Sequence, residues 1–140
     1  MAADGKVEAL RSVSLFGALR QRELEQVAQL ADEVDLPAGQ VLMREGESGS
    51  QMFIIASGEA KIERGGREIA REGPGSFIGE MSILSEGPRT ATATLTQPSH
   101  LFVLAHREFH SLMDDVPAVR TCVMDEVARR LRQLEPDKAH

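Results

Sequence analysis

The sequence predicts a mainly β protein, an antiparallel β-roll of the jelly-roll kind with helices at both ends. Three observations predict it. A helical apolar period runs through the first third, short β-prone pieces broken by glycine turns fill residues 34–105, and the helical period returns over 106–135. No repeat or linker divides the 140 residues, so residues 1–140 read as one domain with room for a real core.

In residues 1–33, Leu24, Val27, Ala28 and Ala31 recur at helical spacing on one face, and Arg22, Glu25, Gln26, Gln29 and Glu33 take the opposite one. Upstream, Leu15, Phe16 and Leu19 form an apolar cluster expected to dock as a turn or short helix. From Val34 the residues tend to alternate, with turn signals at Pro37-Ala38-Gly39, the pair Gly46 and Gly49, Gly58, Gly65-Gly66 and Gly73-Pro74-Gly75. Gly65-Gly66 between Ala60–Arg64 and Arg67–Glu72 predicts a hairpin, because both central positions tolerate positive φ. Many short strands at this spacing argue for a roll or sandwich. Phe109, Leu112, Met113 and Val116 then resume helical spacing. Pro117 opens a second helix, where a missing N–H costs little. Its stripe runs through Val119, Val123, Val127, Leu131 and Leu134, and Pro136 ends it.

The formal charge of −6 disfavours a chain whose work is to grip nucleic acid or an anionic membrane. Cys122 is the sole cysteine, so neither an intrachain disulfide nor a thiolate metal cluster is available. The polar N-terminus MAADGKVEALRSV is no signal peptide, and no apolar run approaches the roughly 20 residues of a membrane span. A soluble, cytoplasmic protein is expected. Arginine outnumbers lysine and alanine is frequent, a hint of a GC-rich bacterial genome.

The alternation breaks between Gly75 and Thr90. The segment 77–93, FIGEMSILSEGPRTATA, reads as strand, glycine, one helical turn, proline turn, arginine and strand, the last over Thr90 to Gln97. A short helix leaves its first N–H groups aimed at any anion placed there. Gly79 lets a ligand approach the backbone. Arg89 offers a planar fork of donors to phosphate oxygens. One arginine and one helix N-terminus suit the single charge of a cyclic phosphodiester. Glu80 would repel that phosphate, so its useful role is to accept a hydrogen bond from a ribose hydroxyl. Thr90 adds a hydroxyl beside the same pocket. Each hydrogen bond to a charged group contributes about 1.5–3 kcal/mol, so several, with base burial, reach the ~8 kcal/mol of a micromolar complex.

These residues resemble the phosphate-binding cassette of cyclic nucleotide-binding domains, found in bacterial catabolite regulators, protein kinase regulatory subunits and cyclic nucleotide-gated channels. The resemblance covers nearly the whole chain. LPAGQVLMREGESGSQMFIIASGEAKI is similar to the first half of the family's β-roll, and the two C-terminal helices to its hinge and lid helices. It implies backbone or hydroxyl contacts from Gly79, Met81 and Ser82, ribose 2′-hydroxyl binding by Glu80, and cyclic phosphate binding by Arg89. Thr90 would lie near phosphate and base, and Ile78 and Ala91 would line the pocket. Ile78 stands where the family often has a smaller or aromatic residue. Arg129 and Arg132, with Arg130, read first as a charged helix face, and a lid contact over the base is the sharper reading.

The resemblance implies a regulatory sensor rather than an enzyme, with no cofactor or metal beyond a ligand, cAMP or possibly cGMP. It would act by helix rearrangement on an effector protein, a second subunit or a fused effector, without binding nucleic acid itself. The bacterial composition favours cAMP, while Thr90 serves either base. Alternatives are a sensor fragment of a cyclic nucleotide-gated channel and a nucleotide-independent scaffold of the same fold. A cupin-type metalloenzyme would need histidines on inward-facing strands. His106 and His110 stand four apart on a helix, but HREFH is not the HExxH of zinc hydrolases, so they read as solvated. His100 and His140 carry no signal, and Cys122 reads as packing.

Overall fold

The computed structural model describes residues 2–13, 16–79 and 88–132. Two helices, α1 (Ala2–Arg11) and α2 (Gln21–Leu30), lead into eight strands. These are β1 (Asp32–Leu36), β2 (Val41–Met43), β3 (Gln51–Ser57), β4 (Ala60–Arg64), β5 (Arg67–Glu72), β6 (Phe77–Ile78), β7 (Thr92–Leu95) and β8 (Ser99–Ala105). Helices α3 (His106–Asp115) and α4 (Pro117–Arg132) follow. The strands form two four-stranded sheets, β1-β8-β3-β6 and β2-β7-β4-β5, and every pairing is antiparallel.

Burial explains why the two sheets read differently in sequence. In β3, Met52 and Ile54 pack with the helices, whereas Phe53 and Ile55 face the interior of the roll. Both faces are covered, so the strand is a continuous apolar run. In β4 and β7, Ala60, Ile62, Ala93 and Leu95 point inward and polar residues alternate with them. A sheet with one solvated face writes that period of two. The helical layer packs on β3 and β8 through Leu10, Phe16, Leu24, Phe102, Phe109 and Leu112. Burying a large apolar side chain contributes about 1.5–3 kcal/mol, so this layer is anchored to the sheet rather than loosely appended.

The Gly65-Gly66 hairpin forms with both glycines at positive φ, 61° and 78°, and joins β4 to β5 as the spacing predicts. Two boundaries differ from expectation. The sheet begins at Asp32, because Ala31 closes α2 with its N–H on Val27 O and the chain then extends. Glu33 therefore lies in β1 opposite Phe102 and not on the helix face. Acidic residues carry little strand propensity, so pattern alone hid the first two residues of β1. The strand expected over Thr90 to Gln97 is confined to Thr92–Leu95. Arg89 before it bridges to the loop after β2, and Thr96 after it turns its N–H and hydroxyl to Glu59. The helical cassette turn, the Leu15 docking contact and the helix end near Pro136 lie outside the described residues.

Candidate functional site

Arg89 is the centre of the site. Its backbone is fixed first: the N–H donates to Glu47 O at 2.8 Å and the carbonyl accepts from Gly46 N–H at 2.9 Å. This antiparallel bridge holds the residue against the loop between β2 and β3. Its side chain is 8% exposed, an unusual state for arginine, and Nη2 donates to Gln51 O at 2.8 Å. Burial lowers the Arg89 pKa from its ordinary value. A guanidinium remains protonated even so, and the site keeps a fixed cation.

Two glycines make room for that cation. A Cβ on Gly49 would stand 2.1 Å from Arg89 Nε and 2.6 Å from Cζ. A Cβ on Gly79, where φ is +96°, would stand 2.8 Å from Gln51 O and 3.0 Å from Arg89 Nη1. Gly79 thus meets two demands, a left-handed backbone and a close approach. Gly49 has no positive φ, so its requirement is steric alone. Arg89 also contributes to the wall of a cleft of about 450 Å³, with Arg44, Glu47, Ser48 and Gly49.

The flanking residues divide by environment. Ile78 and Ala91 are both 0% exposed and belong to the apolar interior of the roll, with Met43, Ile62 and Ala70. Thr90 is exposed, and its carbonyl accepts from Arg64 Nε at 3.0 Å. A further bond fixes the same end of the roll: Glu45 accepts from Gly65 N–H at 2.9 Å. Glu45 also donates its own N–H to Thr92 Oγ1 at 2.9 Å. The structure therefore brings Gly79 against Arg89, whereas Ile78 and Ala91 are enclosed in the apolar interior and take no part in the wall of the cleft that Arg89 lines. Glu80, Met81 and Ser82 lie outside the described residues, as do the side chains of Arg129 and Arg132, whose backbone is in α4.

Sequence reasoning missed Gly49 and Gln51. Gly49 passed for a turn glycine, although Gly46, at φ 85°, already supplies the turn. The signal was the surplus glycine three residues on. Gln51 acts through its carbonyl, which no residue type announces.

The family model described as cyclic nucleotide-binding domain matches residues 33–116. The chain belongs to the cyclic nucleotide-binding domain family. It is 30% identical over 131 residues to the cyclic AMP receptor protein of Thermus thermophilus, covering 90% of this chain and 61% of that protein. It is 30% identical over 111 residues to a cAMP-dependent protein kinase regulatory subunit of Yarrowia lipolytica, covering 79% of this chain and 30% of that one. Among solved structures, the Thermus thermophilus catabolite activator protein superposes with a TM-score of 0.78 at 31% identity, over 86% of this chain and 59% of that chain. The chain thus spans about three fifths or less of these relatives. Among the described residues, no helix is long and apolar enough to cross a membrane.

Proposed function

We propose that this cyclic nucleotide-binding domain senses a 3′,5′-cyclic nucleotide, cAMP in preference to cGMP, and acts as a regulatory module. The observation that carries the reading is the buried Arg89 guanidinium, set between Gly49 and Gly79 beside the apolar interior that holds Ile78 and Ala91. The guanidinium binds the cyclic phosphate bidentately, and Ile78 and Ala91 support the pocket from within the apolar interior. Glu80 binds the ribose 2′-hydroxyl, and Gly79, Met81 and Ser82 supply backbone and hydroxyl contacts. Thr90 contacts phosphate and base. Arg129 or Arg132 closes over the base. The preference for cAMP rests on the relatives named as cyclic AMP receptor and cAMP-dependent kinase subunit.

The output is a conformational one. The ligand draws the cassette inward, and α3 and α4 reposition to alter contact with an effector or second subunit. Such coupling requires the ligand to bind the closed arrangement better than the open one. The module works in the cytoplasm and has no catalytic step of its own.

Calorimetry with cAMP, cGMP and AMP tests the proposal. Saturable binding of cAMP, weaker binding of AMP and loss of affinity in Arg89→Ala are expected. Absence of binding by the native chain at submillimolar nucleotide overturns it and leaves the nucleotide-independent scaffold. Binding that survives Arg89→Ala unchanged shows the pocket to be elsewhere.

A further inference from the structure

His106 and His110 occupy the first two turns of α3, four residues apart and so on one helical face. The structure brings their rings into contact, Nε2 to Nε2 at 3.0 Å, with ring centroids 4.4 Å apart and planes at 85°. His110 is exposed and His106 half-buried, so solvent reaches the pair. Neither ring is engaged by a carboxylate among the described residues, in contrast to His100, whose two nitrogens meet Asp35 and Glu33. In that contact one Nε2 donates and the other accepts; transfer of the donor's proton to its own Nδ1 leaves both Nε2 lone pairs open to a metal ion.

We propose that His106 and His110 form a two-imidazole chelate for a divalent transition-metal ion, copper(II) binding most tightly and nickel(II) less so. Imidazole nitrogen suits these ions. The observed Nε2–Nε2 separation of 3.0 Å is a hydrogen-bond distance, and it already lies close to the roughly 3.0–3.4 Å between adjacent ligand atoms of a single ion. The helix fixes the spacing between the two residues. The backbone N–H of His106 is itself fixed, donating to Ser50 O at 2.5 Å, so the first ligand is held where α3 leaves the sheet. No group of three or more His, Cys, Asp or Glu side chains able to hold a metal occurs among the described residues, so the protein supplies two ligands and solvent must supply the rest.

The test is a titration of the whole chain with copper(II), followed by paramagnetic resonance and calorimetry. Nickel(II) repeats it without redox chemistry at Cys122. One equivalent of ion in the micromolar range, with hyperfine coupling from two imidazole nitrogens, is expected. Affinity should fall at least tenfold in both His106→Gln and His110→Gln and stay unchanged in His140→Gln. Thermal melts of the metal-free variants establish that each is folded. Saturation absent from the native chain below a millimolar of ion overturns the proposal. So does native affinity in folded His110→Gln.

Discussion

Gly49 and Arg89 are in contact such that a single added carbon on the glycine would sit 2.1 Å from Nε of the arginine. The glycine is therefore a seat for the guanidinium. Gly49→Ala should destabilise the domain by about 1–3 kcal/mol, the usual cost of an overpacked site. Removing the arginine should remove the clash. In an Arg89→Ala background the same substitution should cost little, a non-additivity that a urea double-mutant cycle reads directly. Additive costs would mean that Gly49 serves the loop and not the arginine.

Arg89→Lys separates charge from shape. Lysine keeps the cation but loses the planar fork. The bond from Nη2 to Gln51 O would be replaced by a single mobile ammonium. Cyclic nucleotide affinity should fall by about tenfold to a hundredfold, equivalent to one charged hydrogen bond of roughly 1.5–3 kcal/mol. Calorimetry that finds Lys equal to Arg would show that a point charge suffices.

His100 joins β8 to β1, with Nδ1 at 2.7 Å from Asp35 Oδ1 and Nε2 at 2.5 Å from Glu33 Oε2. The hydrogen bond to Asp35 raises its pKa most; partial burial opposes the rise, and Glu33 adds to it. Both nitrogens donate only when the ring is protonated. The folded pKa lies above the unfolded value of about 6.5, so the clamp contributes fully below that pH. Its contribution is lost as pH rises through the folded pKa. Denaturant midpoints should therefore decline with rising pH in this window, and His100→Gln should flatten that slope. An unchanged slope in the variant would assign the dependence to other groups.

Phe102 is 0% exposed and packs from β8 into the helical layer. Phe102→Ala should cost about 3–5 kcal/mol in chemical denaturation, the range for deleting a buried aromatic ring. A cost below 1 kcal/mol would mean that the helices hold to the sheet without it.

Some features could be read from residue order because their causes are local. Gly65-Gly66 determines a hairpin, since two adjacent positive-φ positions are what its turn needs. The alternation in β4 and β7 determines which side chains enter the roll, since a strand's period is two. The spacing of Gly79, Pro88 and Arg89 in FIGEMSILSEGPRTATA suggests from residue order a segment suited to an anion, and the structure sets the Gly79 backbone close to Arg89 Nη1. Tertiary structure decided the rest. Asp32 and Glu33 become strand because β8 offers them partners, against their own propensity. His100 acquires two carboxylates 65 and 67 residues away in sequence. Gly49 is needed only because Arg89, forty positions on, folds back over it beside the Gln51 carbonyl. Sequence periodicity records neighbours along a strand or helix; contacts made by long-range closure leave no period to read.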